Sequence, residues 1–112
     1  MQIKVKQVKN NLIIELSGEL DHHHAAEFRE KFDAEWNSKA VRNLILNFAG
    51  ITFMDSSGVG VIIGRYKQVD REGGKVAISN PTPGVKKLIE ISGLPRIVSV
   101  FSTEEEALQS LE

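Results

Sequence analysis

Residues 54–66 read Met-Asp-Ser-Ser-Gly-Val-Gly-Val-Ile-Ile-Gly-Arg-Tyr, and this segment is the strongest structural signal in the chain. Its larger hydrophobic side chains repeat at the i, i+3, i+4, i+7 spacing of a buried helical face, at Val59, Ile62, Ile63 and Tyr66. Two serines stand where the irregular residues before this pattern meet its first turn. The segment therefore predicts an amphipathic helix with hydroxyl groups at its N-terminus.

The opposite face of this predicted helix lacks the lysines and glutamates of an ordinary solvent face. Small residues at Ser57, Gly60 and Gly64 would leave it flat, so that another surface could approach the helix backbone closely. A flat, exposed and partly apolar face is typical of a docking surface. We predict a partner-binding surface that contains Asp55, Ser56, Ser57, Gly58, Val61, Gly64 and Gln68.

The residues before this helix predict a β-hairpin, a helix and a central strand. Polar and apolar residues alternate in 3–5 and 12–16, with a turn at 9–11 between them. Asp21 is the predicted N-cap of a helix that carries an aromatic residue at each turn of one face. The apolar run 44–48 is typical of a strand buried on both faces. Residues 49–54 are then expected to form a connecting loop.

The residues after the serine helix predict two more strands, at 76–78 and 97–101, each followed or preceded by a helix. The proline-rich segment 80–83 starts one helix, with Val85, Leu88 and Ile89 expected to face inward, and the other begins at a capping box at Thr103. The order is βαβαβαβα after the first strand. Helical crossovers imply parallel strands. We therefore predict a single α/β domain over residues 1–112, with an antiparallel hairpin that opens a mixed sheet packed against about four helices.

Length and composition bound the function. The chain has 112 residues, a net charge of −1, no basic block and no cysteine. Nucleic acid is therefore not an expected partner, and disulfides and cysteine nucleophiles are excluded. No apolar run approaches the roughly 20 residues that cross a bilayer. We expect a cytoplasmic protein without a membrane partner.

Three other kinds of site are disfavoured by the motifs. A serine hydrolase motif would need glycine where Met54 stands, and the histidines 22–24 precede the serines in the chain. Consecutive side chains in 21–24 diverge, so at most two could reach one metal ion. The glycine spacing in 58–64 matches neither phosphate-binding loop pattern. We expect no catalytic residue, metal site or cofactor.

A serine that receives a phosphate fits the motif better. A phosphate on Ser57 would add about −1.5 to −2 charges beside Asp55. The helix dipole and free N–H groups would offset part of that repulsion. The fold would survive, whereas a partner docked on this face would meet a dianion. Helix capping is the competing explanation for Asp55 and Ser56.

Several motifs lie in a specific order over nearly the whole chain: Gly18-Glu19-Leu20-Asp21-His22-His23, Leu44-Ile45-Leu46-Asn47, residues 53–62, Gly64-Arg65-Tyr66-Lys67-Gln68, Val85-Lys86-Lys87-Leu88 and Ser92-Gly93-Leu94. With them the sequence resembles the anti-sigma factor antagonists of the STAS domain family, most closely the anti-sigma-F branch of endospore-forming bacteria. The serine motif and the segment 64–68 are the specific part of this resemblance.

The resemblance implies a regulatory cycle. An unphosphorylated antagonist binds an anti-sigma factor and so releases a sigma factor. The anti-sigma factor is also an ATP-dependent serine kinase, which phosphorylates the second serine of the pair, and a serine phosphatase reverses this. The matching phosphorylated position is Ser57, and Asp21 matches a residue at the kinase interface. His24 departs from the family, because a smaller polar residue is expected there.

Two related functions stay open beside this one. The chain could be a STAS adaptor of another partner-switching pathway, such as a general stress response, or a module that only binds. The motif at 21–23 and the segment 64–68 favour the sporulation branch, whereas the serine motif is shared. In each case the resemblance implies a regulator and not an enzyme, and ATP belongs to the partner kinase.

Overall fold

A computed structural model describes residues 1–111, which form a five-stranded sheet and four α-helices. The strands are Gln2–Val8 (β1), Asn11–Leu20 (β2), Asn43–Met54 (β3), Val76–Ser79 (β4) and Ser99–Phe101 (β5). The helices are Ala25–Ser38 (α1), Ser56–Arg71 (α2), Pro83–Ser92 (α3) and Glu104–Ser110 (α4), with a 3-10 turn at Leu94–Arg96. The spatial order is β1-β2-β3-β4-β5, with β1 antiparallel to β2 and the other neighbours parallel. The predicted α/β fold is confirmed.

Successive residues of a strand point to opposite faces of the sheet, and helices cover both faces. Leu12 and Ile14 of β2 belong to the main core, which also contains buried residues of α1, α2 and α3. Ile13 lies on the other side, in a small core with Ile45 and Ala107 of α4. Helices α1 and α2 therefore share one face of the sheet, and their first turns meet at one edge.

The central strand β3 is longer than the sequence predicts. Residues 49–54, expected as a loop, continue the strand and pair with the end of β2, where Met54 lies opposite Leu20. The loop prediction was wrong because the continuous apolar run stops there, although Ile51 and Met54 remain buried on one face. The extension delivers Asp55 to the carboxyl edge of the sheet, directly before α2.

The buried face of helix α2 is rotated relative to the face that the sequence predicts. Val61 was expected on the exposed face, but it is only 7% exposed and belongs to the main core. Val59, Ile63 and Tyr66 were expected to be buried and are half-buried beside that core. The buried face is centred on Val61 and Ile62 because α2 packs against the sheet and also against α1.

Helix α3 differs from its prediction at one position. Val85 and Ile89 are buried as expected, but Leu88 is 38% exposed, next to Ile91 at 74%. Burial of Leu88 was therefore predicted wrongly, and α3 presents an apolar edge. The last strand is shorter than 97–101, because the chain first forms the 3-10 turn and pairs only from Ser99.

Candidate functional site

Asp55 joins the starts of α1 and α2 at the carboxyl edge of the sheet. It is the N-cap of α2, and its Oδ1 accepts hydrogen bonds from the backbone N–H groups of Ser57 at 2.9 Å and Gly58 at 3.2 Å. Its Oδ2 accepts a third bond, from the N–H of His22 at 3.1 Å, in the turn before α1. One carboxylate therefore fixes both helix starts relative to each other.

Asp21 organises the turn that precedes α1. Its Oδ1 accepts hydrogen bonds from the N–H groups of His23 at 3.0 Å and His24 at 3.1 Å, and lies 2.7 Å from Nδ1 of His24. The prediction of Asp21 as the N-cap of α1 was wrong, because the regular helix begins at Ala25 with His24 in the N-cap position, and the Asp21 carboxylate caps the preceding turn instead. Asp21 is 8% exposed, so it supports the loop that presents His22.

Both carboxyl groups have pKa values below their ordinary range. Partial desolvation acts to raise the pKa of Asp55, but the three backbone N–H groups that donate to it lower the pKa by more. Desolvation likewise opposes the shift at Asp21, where the bond to His24 and the neighbouring N–H group lower the pKa. Both groups are therefore ionised at neutral pH, next to the N-terminus of α2.

The two serines at the start of α2 face different grooves. Ser57 is half-buried and lines a groove of about 480 Å³ between α1 and α2. This groove, called the basic groove below, is lined by His22, Ala25, Ala26, Arg29, Ser57, Gly60, Val61, Gly64 and Arg65. Ser56 is exposed and lines a groove of about 340 Å³ between α2 and α3. This second groove, the apolar groove, is lined by Met54, Asp55, Ser56, Val59, Leu88, Ile91 and Ser92.

The glycines of α2 differ in whether packing inside the chain requires them. A Cβ at Gly58 would lie 2.2 Å from the carbonyl oxygen of Leu20 and 2.8 Å from Cγ of Met54, so close packing requires glycine there. A Cβ at Gly60 or Gly64 would meet no atom within 4 Å outside the neighbouring helix backbone. These two positions therefore keep the wall of the basic groove low without any packing need inside the chain.

The predicted partner-binding residues separate into three sets. Ser57, Val61 and Gly64 lie together in the basic groove, and Asp55 and Ser56 lie in the apolar groove. Gly58 was expected on the partner-binding surface, but it is buried against β2.

Gln68 and Asp21, like Gly58, line neither groove. Gln68 is half-buried further along α2, and Asp21 lies behind the turn that carries His22.

Sequence reasoning missed the two arginines of the basic groove and the apolar edge of α3. Arg29 follows Ala25 and Ala26 on one face of α1, and Arg65 follows Gly64 on α2. Helical spacing could have placed each arginine on its own helix face. Only the packing of α1 against α2 brings both into one groove with Ser57.

The two serines line separate grooves, with Ser56 exposed and Ser57 half-buried. Among residues 1–111 no hydrogen bond joins the hydroxyl of Ser56 or Ser57 to an imidazole, although His22 lines the same groove as Ser57. The same residues contain no group of three or more side chains arranged to hold a metal ion. Within this part of the chain, no helix combines the length and hydropathy that a membrane span requires.

The fold is that of a known family. The STAS domain model matches residues 2–107, and the chain belongs to the STAS domain family. An anti-sigma F factor antagonist from Paenibacillus polymyxa is 38% identical over 112 residues, which are 100% of this chain and 96% of that protein.

Two solved structures that both carry the name SpoIIAA are similar to this chain. The anti-sigma factor antagonist SpoIIAA in its unphosphorylated form has a TM-score of 0.82 and 36% identity, and the match covers 97% of this chain and 95% of that chain. The Bacillus cell fate determinant SpoIIAA in the phosphorylated form has a TM-score of 0.74 and 34% identity, covering 99% and 100%.

Proposed function

We propose that this chain is an anti-sigma factor antagonist whose partner binding is switched off by a phosphate on Ser57. The observation that carries the proposal is the position of Ser57, in an open groove whose wall is lowered by Gly60 and Gly64. The unphosphorylated chain binds an anti-sigma factor and thereby releases a sigma factor. The anti-sigma factor acts as the serine kinase and supplies ATP, and a serine phosphatase restores the antagonist.

A phosphate at this position opposes docking in two ways. It fills space on a surface that two glycines leave open to a close approach, and it brings about −1.5 to −2 charges into the contact. A loss of about 4 kcal/mol in binding free energy would weaken the complex about a thousandfold. The three hydrogen bonds of Asp55 hold the first turn of α2 in place. We therefore expect the switch to act without refolding of the chain.

The relatives support this proposal. The Paenibacillus polymyxa protein that is 38% identical is named for antagonism of an anti-sigma F factor. SpoIIAA has been solved both unphosphorylated and phosphorylated, and both forms match this chain over at least 97% of its length. One fold that accommodates both states of a relative is consistent with a switch based on blocking.

The first test is to incubate the chain with an anti-sigma factor kinase and ATP, and then to locate phosphate by mass spectrometry. We expect one phosphate, on Ser57, and none in Ser57→Ala. Ser56→Ala is the matched control and should be phosphorylated like the original chain. Phosphate on Ser56 would contradict the proposed switch, and tight binding without any phosphate would reduce the function to that of an adaptor.

Binding to the same anti-sigma factor gives an independent test. Ser57→Ala should bind as tightly as the unmodified chain, because alanine keeps the small size and removes only the acceptor hydroxyl. Ser57→Asp should bind more weakly, although one negative charge imitates phosphate only in part. Equal affinity of Ser57→Asp and the unmodified chain in calorimetry would refute blocking by charge.

A further inference from the structure

The polar lining of the basic groove combines cationic side chains from both α1 and α2 with one hydroxyl group. Two guanidinium groups, from Arg29 and Arg65, and the imidazole of His22 line it together with Ser57. None of the residues that line the groove is acidic. The groove is therefore suited to an anion, and its only hydroxyl side chain belongs to Ser57.

Neither arginine is neutralised by a salt bridge within residues 1–111. Arg65 lies with its guanidinium carbon 5.4 Å from the centre of the Phe32 ring, and its buried Nε and Nη1 atoms have no hydrogen-bond partner. Burial lowers the pKa of Arg65, and the charges of Asp33 and Arg29 act on it in opposite directions. A buried donor without an acceptor is costly, so the guanidinium of Arg65 keeps hydrogen-bonding capacity that no acceptor in residues 1–111 satisfies.

Helix geometry gives the heights of Ser57 and the two arginines along the basic groove. The hydrogen bond from the N–H of His22 to Asp55 holds the starts of α1 and α2 next to each other. Long helical side chains lean towards the N-terminus of their helix, so Arg29 and Arg65 lean towards the end of the groove that holds Ser57. At a rise of 1.5 Å per residue, the Cα of Arg65 lies about 12 Å further along the α2 axis than the Cα of Ser57. The side chains of Arg65 and a phosphoserine together span most of that distance.

We propose that the basic groove is the receptor for the phosphate of phosphorylated Ser57, with Arg29 and Arg65 as its ion-pair partners. This inference rests on the proposed function only for how the phosphate arrives. The phosphate would turn into the groove between α1 and α2 instead of projecting into solvent. It would occupy the space that a partner needs, while the arginines offset its repulsion from Asp55 and keep the chain folded.

The test uses the full chain with phosphoserine encoded at position 57, so that no kinase is needed. The second pKa of the phosphate, about 6 in an unperturbed phosphoserine, is measured by phosphorus NMR as a function of pH. Asp55 acts to raise this pKa, whereas Arg29 and Arg65 act to lower it. Arg29→Gln and Arg65→Gln should each raise it by about 0.5 pH unit, the effect of a unit charge about 6 Å away in water.

Two variants control for charge and for folding. Arg71→Gln removes a guanidinium about 21 Å from Ser57 along α2, beyond the screening length of about 8 Å, and should leave the phosphate pKa unchanged. Arg29→Lys keeps the positive charge and should keep most of the shift. Arg29 is exposed, so its replacement should not disturb the fold even if that of Arg65 does.

The outcomes separate this inference from the proposed function. Equal phosphate pKa values in the original chain, Arg29→Gln and Arg65→Gln would overturn the receptor, as would an equal shift in Arg71→Gln. A kinase that fails to modify Ser57 would overturn only the proposed switch. In the unmodified chain, inorganic phosphate should move the arginine side-chain N–H signals only weakly. A response as large as that to the tethered phosphate would assign the groove to a dissolved phosphate instead.

Discussion

The same substitution at two nearby glycines of α2 should change stability in opposite directions. In Gly60→Ala the new Cβ meets no atom within 4 Å outside the local helix backbone. Alanine is favoured over glycine in a helix interior by about 1 kcal/mol. We therefore expect the free energy of unfolding of Gly60→Ala to rise by about 1 kcal/mol.

Gly58→Ala should destabilise the fold. Its Cβ would lie 2.2 Å from the carbonyl oxygen of Leu20, which belongs to β2 and cannot shift without disturbing the sheet. Overpacking of this kind costs about 1–3 kcal/mol. The two variants should therefore differ in their free energy of unfolding by about 2–4 kcal/mol.

The affinity of Gly60→Ala for the partner should fall although its free energy of unfolding rises. The methyl group of Gly60→Ala stands on the open wall of the basic groove, where the proposed partner approaches. We expect this more stable variant to bind the anti-sigma factor about tenfold more weakly, a loss of about 1.4 kcal/mol. A stability gain combined with an affinity loss would show that glycine is kept there for the partner.

Urea unfolding followed by circular dichroism measures the stability change, and calorimetry with the anti-sigma factor measures the affinity. Gly84→Ala in α3 is the matched control, because its Cβ also meets no atom within 4 Å and it lines neither groove. It should bind like the original chain. A destabilised Gly60→Ala, or a Gly58→Ala as stable as the original, would refute the packing argument, and unchanged affinity of Gly60→Ala would refute the docking face.

Two further predictions concern the support of the site. Asn43→Ala should lower the free energy of unfolding by about 1–3 kcal/mol. The buried amide of Asn43 makes hydrogen bonds of 3.0 and 2.9 Å that would be lost. The control Asn37→Ala, on the exposed surface, should leave urea unfolding unchanged. The folded-state pKa values of Asp21 and Asp55 are lowered. The two carboxylates therefore stabilise the folded chain fully above their unfolded-state pKa of about 4. This stabilisation is lost as pH falls through the folded-state pKa values. Asp55→Asn, whose cap does not titrate, should flatten the acid side of a plot of urea midpoint against pH, and an unchanged profile would contradict this role of Asp55.

Features that depend on neighbouring residues could be predicted from the sequence. The helix N-cap at Thr103 is confirmed, because its Oγ1 accepts a hydrogen bond from the N–H of Glu106 at 3.1 Å, one of the two bonds of a capping box. The aromatic face of α1 is confirmed as well, since Phe28, Phe32 and Trp36 are buried. In both cases helical geometry alone fixes the relation between residues a few positions apart.

Features that depend on distant segments could not be predicted in this way. Residues 49–54 continue β3 because β2 lies beside them, and Val61 is buried because α1 covers that side of α2. The same holds for the basic groove. Arg29 and Arg65 are far apart in the sequence, and each taken alone has the pattern of a solvated surface charge.

The two grooves also give a physical reason why adjacent serines are not equivalent. Successive helical residues are rotated by about 100°, which turns Ser56 towards α3 and Ser57 towards α1. A phosphate on Ser56 would enter a groove lined by Met54, Leu88 and other apolar side chains, without any cation in its lining. A phosphate on Ser57 would enter the groove that contains two guanidinium groups. The packing of α2 between α1 and α3 therefore favours the second serine of the pair, whatever contacts a kinase makes with either hydroxyl.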